Sequence, residues 1–373
     1  MKKIVDIINC EKSKKKEHMN VWIDICHTPQ YNFFKPLIYQ LVERGHKVYI
    51  TVLDRGKTPK IIQHELAELP VEIDVIGRHR MTKWSVIVEA NLIRLVRIIG
   101  WRMRHHVDVG LSNGFHAAVA CWLTRTPNYT FGDDPDTFDY YPKWLCSSGE
   151  HFTIYEKPEG LKLAKSTKVL RCLKEWAYLN PRTFKPDVKA LEAYGVKPKE
   201  YMFLREVTVG TINYAGQESG AILGIKDMIP KGMKVLFSLE EKKRRNEYPE
   251  DWILLQEPIE DIHSLIYYSA GLVSSGDSMA REAALLGVPS YYLGIRYSMP
   301  ANAAASKVAS LQNRKTMDFG EWVKGLEVRG ERLEAEQKAL REHIDKEFID
   351  INQYMLNLIE KNKKNNAMMN GGI

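Results

Sequence analysis

The strongest constraint on this chain is a rhythm that occurs twice. Short apolar, β-rich runs alternate with segments of helical periodicity, the alternation breaks once, and then it resumes. The first series predicts strands at 21–26 (VWIDIC), 47–53, 71–76, 107–111, 128–132 and 151–155, with helices at 33–44, 59–68, 82–105 and 115–124 between them. The second predicts strands at 201–205, 233–238, 252–255, 271–274 and 290–293, with helices at 219–228, 260–269 and 278–287. Strand, helix, strand at this spacing builds parallel βαβ units. Near-continuous apolar strands suit a sheet covered on both faces. The expected fold is therefore α/β, with two Rossmann-like lobes. At 373 residues the chain is long enough for both.

The break falls at 180–200 (NPRTFKPDVKALEAYGVKPKE), where three prolines and mixed charge mark a linker. The expected boundaries are a flexible extension at 1–19, a first lobe at 20–185, a second at 186–345, and a closing helix with a disordered tail at 346–373. The charged helical pattern from 319 onward has the length to fold back across the linker.

Composition narrows the classes of function. Five scattered cysteines (10, 26, 121, 146, 172) form no CxxC pair, which points to a reducing, cytoplasmic setting. The most apolar stretch, Trp84–Trp101, is interrupted by Glu89, Arg94 and Arg97, so it reads as an amphipathic helix rather than a membrane span. The net charge of +7 is concentrated in Lys12–Lys16, Lys242–Arg245 and Lys361–Lys364. No nucleic-acid-binding motif accompanies it. It leaves open a peripheral contact with the inner membrane face.

The most informative stretch is Gly271–Leu293 (GLVSSGDSMAREAALLGVPSYYL). A strand ends in Ser274–Ser275–Gly276, a helix starts near Asp277 or Ser278, and Gly287 ends it. A helix that begins this way aims free backbone N–H groups above the sheet, a ready site for an anion. Glu282 lies about one turn, ~6 Å, behind Ser278 on the same face. A carboxylate there can accept from two ribose hydroxyls while a diphosphate sits at the helix tip.

These residues resemble the nucleotide-sugar signature of GT-B enzymes, in which a small or Gly-rich turn precedes an EAxxxGxP-type helix; here that reads Glu282–Ala283 and Gly287–Val288–Pro289. More narrowly the chain resembles the DUF354 family in WIDICHTPQYNFFKPLIYQLVERGHKVYIT, LKEWAYLNPRTFKPDVKALEAYGV and SGDSMAREAALLGVP, over about 20–300. That family is similar to UDP-N-acetylglucosamine 2-epimerases and to glycosyltransferases. The resemblance implies two lobes facing across a cleft and a nucleotide-diphosphate sugar, UDP-type, as substrate with no cofactor. It gives Ser275, Gly276 and Ser278 to the phosphates, Glu282 to the ribose and Arg205 to the diphosphate. Asp277 departs from it, placing a negative charge where phosphate is expected.

The first-lobe candidates lie in two loops. His27 follows the first strand at the ligand side of such sheets and has the chemistry of a general base near neutrality. Asp133, Asp134 and Asp136 follow another strand; they offer a second base, a metal site or a capped turn, and GT-B enzymes generally need no such metal. His116, Asn32 and Lys35 are placed at the same rim, and Trp176 and Tyr178 are stacking candidates better suited to the core.

The expected activity is transfer of a sugar to a sugar or lipid-linked acceptor in surface polysaccharide or glycoconjugate synthesis. A non-hydrolysing sugar 2-epimerase shares these features, although the GTRPE-like opening of such enzymes is missing. A non-catalytic nucleotide-sugar binder is the third reading. A dinucleotide-dependent dehydrogenase is discounted because no GxGxxG follows the first strand.

Overall fold

The computed structural model describes residues 18–79, 85–133, 146–159, 163, 165–209, 216–256, 259, 261–330 and 332–370. The charged lead-in and Asp134 and Asp136 lie outside them.

Two parallel sheets carry the fold. The first has seven strands in the order β3-β2-β1-β4-β5-β6-β7: Asn20–Ile25 (β1), Lys47–Asp54 (β2), Val71–Arg78 (β3), Val109–Ser112 (β4), Asn128–Gly132 (β5), Gly149–Thr153 (β6) and Thr167–Leu170 (β7). The second has six in the order β10-β9-β8-β11-β12-β13: Tyr201–Glu206 (β8), Lys234–Leu239 (β9), Ile253–Leu254 (β10), Gly271–Ser274 (β11), Ser290–Tyr292 (β12) and Leu311–Asn313 (β13). Helices cover the faces, so the central strands are dry: Val21, Ile23 and Ile25 of β1 and Leu272 and Val273 of β11 expose nothing to solvent. In each sheet the order reverses direction once, between β1 and β4 and between β8 and β11. That reversal opens a crevice at the carboxyl ends of the strands.

The helices differ from expectation in instructive places. The first, α1 (Thr28–Glu43), begins directly after His27 rather than at Phe33. The cause is Pro29, which occupies the first turn, where its missing N–H is no loss and its fixed φ suits a helix. Gly45 and Gly287 do end their helices, at φ of +79° and +75°. The expected helix at 219–228 is a 3-10 turn at Leu223–Met228, and the linker helix is another at Val188–Tyr194. Strands β7 and β13 lack an extended apolar run and were not anticipated.

Beyond α2 (Thr58–Glu65) a π-helical segment, Ser85–Ile93, leads into α3 (Arg94–Arg104), followed by α4 (Phe115–Leu123). The short α5 (Trp176–Leu179) precedes the linker. The second sheet carries α6 (Ile262–Tyr267), α7 (Asp277–Leu285), α8 (Pro300–Val308) and α9 (Phe319–Arg329). Then α10 (Arg332–Glu347) and α11 (Ile351–Asn370) return to the first lobe. Buried Ile351, Met355, Leu356 and Ile359 of α11 join the core that includes Phe34 and Leu37 of α1. Asn352 Nδ2 donates to the Ala177 carbonyl at 2.7 Å. Helix continues to Asn370, where a disordered tail was expected.

Candidate active site

The two switch points are built alike. At the end of β4, Ser112 Oγ donates to the Gly114 carbonyl at 2.8 Å, and Gly114 opens α4. At the end of β11, Ser274 Oγ donates to the Gly276 carbonyl at 2.7 Å, and Gly276 opens α7. Neither helix has a side-chain cap, and both turn the N–H groups of their first turn toward the carboxyl edge of a sheet.

Around the second turn the predicted residues divide. Ser275 builds the turn: its hydroxyl accepts from Val207 N at 2.9 Å, its own N–H donates to the Arg205 carbonyl at 3.0 Å, and it is fully buried. Gly276 donates back to Ser274 Oγ at 3.0 Å. Ser278, half-buried, stands at the helix tip. Arg205 lies one residue before the end of β8, beside Ser274, yet its guanidinium turns toward β9, donating to Ser238 Oγ at 2.7 Å and pairing with Glu240. Glu282 lies on α7 one turn behind, 9% exposed. Its carboxylate accepts from the Tyr178 hydroxyl at 2.6 Å, with His263 Nε2 at 3.6 Å. Burial would raise the pKa of Glu282, but His263 and the Tyr178 hydrogen bond hold it below the usual range.

Asp277 and Arg281 would be an ordinary surface pair on an isolated helix. Here both are buried, and they centre a network between the lobes. Arg281 donates to Glu175 Oε1 (3.1 and 2.8 Å), to Asp277 Oδ2 (3.2 Å) and to Asn302 Oδ1 (2.7 Å). Asp277 Oδ2 also receives Arg296 Nη1 at 3.4 Å. Burial alone would raise the Asp277 pKa; Arg281 and Arg296 reverse that and keep it low. The charge that looked out of place on an anion site is thus answered by two arginines. Arg296, in the loop after β12, keeps a fifth of its side chain exposed beside the helix tip.

The first lobe contributes His27 and Asp133. His27 holds an extended backbone at the start of α1. Burial lowers its pKa to about 3, helped by Lys174 and Arg55 and opposed by Asp133. Asp133 pairs with Lys174 at 2.5 Å. Its pKa is pushed up by burial but lowered overall by Lys174 and Arg281. The segment Lys174–Tyr178 therefore touches both sets of candidates, through Asp133 on one side and through Arg281 and Glu282 on the other. Lys35 is not part of this: it pairs with Glu65 at 2.7 Å. His116 is buried beneath the rim, and Trp176 is core.

Asp24, Cys26 and His116 offer ligand atoms within 4.8 Å of one another. Arg94 donates to both Asp24 oxygens (2.6 and 3.2 Å), so the positive charge a cation would bring is already present. A depression of about 740 Å³ lies at the opposite end of the first sheet, lined by Trp122, Arg125, Asn128 and Asn362. It holds none of these groups and stands away from both switch points.

No family model matches the chain, and no curated protein matches it. Solved structures do. The glycotransferase of kitacinnamycin superposes with a TM-score of 0.63 at 11% identity, over 93% of this chain and 99% of that one. The glycosyltransferase VinC, in complex with dTDP, gives 0.62 at 10% identity, over 93% and 100%. UDP-GlcNAc 2-epimerase from Neisseria meningitidis, bound to UDP-GlcNAc, gives 0.61 at 11%, over 92% and 100%. The fold is GT-B. At such identities the likeness extends to the architecture and no further.

Within that GT-B frame, sequence reasoning missed Lys174, Glu175 and Arg296. Lys174 and Glu175 had a local signal, a charged pair directly ahead of the aromatic run WAY. Arg296 had none; only the packing of its loop against α7 brings it to the turn.

Proposed function

We propose that this protein is a glycosyltransferase-like enzyme that uses a nucleotide-diphosphate sugar, UDP-type, and transfers the sugar to a hydroxyl of a sugar or lipid-linked acceptor in surface polysaccharide or glycoconjugate synthesis. The observation that carries the reading is the uncapped amino end of α7 at the switch point of the second sheet, with Arg296 held beside it by Asp277. VinC and the epimerase, with nucleotide diphosphates bound on the same fold, support it, as does the DUF354 resemblance.

The diphosphate is met by the N–H groups of the first turn of α7, the Ser278 hydroxyl and the Arg296 guanidinium. Together they stabilise the charge that grows on the leaving group without calling on a metal. Glu282 takes the ribose hydroxyls. The Tyr178 hydroxyl now bonded to it is a donor of the same kind, so ribose binding displaces Tyr178 and exchanges one hydroxyl for another.

His27 is the base that takes the acceptor proton, with Asp133 beside it. Burial and the cations Lys174 and Arg55 keep the imidazole neutral but weakly basic. An anionic donor offsets those cations and strengthens His27 as a base when one is needed. Epimerisation is the second reading, favoured by the epimerase neighbour. It predicts interconversion of donor sugars with no acceptor present.

The test is a thermal-shift and turnover panel of UDP-, dTDP- and GDP-sugars. A donor at 100 times its dissociation constant stabilises by about 2.7 kcal/mol, a shift of several degrees. Glu282→Ala should abolish the shift. Arg296→Gln should weaken binding ten-fold or more, because a hydrogen bond to a charged group contributes about 1.5–3 kcal/mol. No shift and no nucleoside diphosphate release with any donor would sink the proposal.

A further inference from the structure

Outside the cleft, the outer face of α3 and of the π-helical turn that leads into it is apolar. Leu92, Val96 and Met103 are 60, 71 and 74% exposed, and Ile93 is exposed beside them. With Val96 as reference at 100° per residue, Met103 falls 20° to one side, and Leu92, in the π-helical segment that runs into α3, lies one turn earlier and about 40° to the same side. The three form an aliphatic stripe about 16 Å long. Arg97 and Arg104 fall 80–100° round on one flank and are both exposed.

From Ile93 to His106 the chain contains four arginines and no acidic residue. The inward ones are occupied. Arg94 pairs with Asp24, and Arg102 donates to the carbonyls of His105 and Val107. That leaves the basic flank facing solvent. Trp122 and Leu123, both more than half exposed, end the neighbouring helix α4.

We infer that this face of α3 docks the protein on an anionic lipid surface, with the aliphatic stripe in the acyl boundary and Arg97 and Arg104 among the headgroups. An in-plane amphipathic helix combines these two features, buried apolar area and cationic attraction. The stripe stands on a convex helix face and consists of aliphatic side chains, whereas protein-binding hot spots favour aromatic anchors set in pockets. The helix packs against β3, the edge strand of the sheet whose central strand leads into His27. The inference does not rest on the nucleotide site.

The full chain should co-float with vesicles of 30% phosphatidylglycerol in phosphatidylcholine and not with phosphatidylcholine alone, and binding should fall in 0.5 M salt (about the range where surface charge is screened). Arg97→Gln and Arg104→Gln should each weaken binding on the order of five-fold. The pair Val96→Glu with Met103→Glu should reduce it ten-fold or more. These positions are exposed, so melting temperatures should stay near that of the parent chain. Failure of the parent chain to float with anionic vesicles overturns the inference, as does flotation that ignores the glutamate pair. A dimer in light scattering that the glutamate pair dissolves would also overturn it, assigning the face to a second copy instead.

Discussion

Arg281→Met tests whether the buried network between the lobes is electrostatically closed. Methionine keeps much of the volume and removes the charge. Glu175, 1% exposed, loses both of the hydrogen bonds it receives from Arg281, while Asp277 keeps Arg296. Breaking a buried pair from one side typically costs about 3–5 kcal/mol. Urea unfolding followed by tryptophan fluorescence, for parent and variant at pH 7, should give a difference of about 3–5 kcal/mol. Adding Glu175→Gln should recover part of the loss at pH 7. A difference under about 1 kcal/mol would refute the claim that Glu175 depends on Arg281.

Two further outcomes are expected. Gly287→Ala should destabilise by about 1–3 kcal/mol, since φ is +75° and an added Cβ would lie 2.6 Å from the Gln337 carbonyl of α10. Gly232→Ala, also at positive φ but with open space around it, should cost less in the same urea titration. Stability should also fall in mild acid, because burial, reinforced by Arg94 and Lys168 respectively, lowers the pKa of His116 and His151 to about 4. Protons then prefer the unfolded chain, so this stability is complete above about pH 6.5 and is lost toward pH 4, by about 2 kcal/mol for each histidine at pH 5. His116→Phe should flatten the fall in the urea midpoint between pH 7 and pH 5; an unchanged slope would show that His116 is not the group being protonated.

The two-lobed parallel architecture was legible in the chain because it depends on periodicity. Short apolar runs such as VWIDI and GLVS, alternating with helical segments, point to central parallel strands, and a glycine just past a helical run can end it at positive φ, as at Gly45 and Gly287. The strand–turn–helix unit at 271–287 was legible for the same local reason, and Ser278 and Glu282 stand on that helix where the spacing put them. What the side chains do there was decided by tertiary packing. Ser275 turned inward because Val207 lies beside it. Arg205 was drawn to Glu240, just past the end of the neighbouring strand. Asp277 gained Arg296 from a loop nineteen residues on, and Glu282 gained Tyr178 from the far side of the linker. Periodicity is a property of neighbours in sequence, and it survives in isolation. Charge pairing in a dry interior depends on which groups are brought within a few ångströms, and only the folded chain settles that.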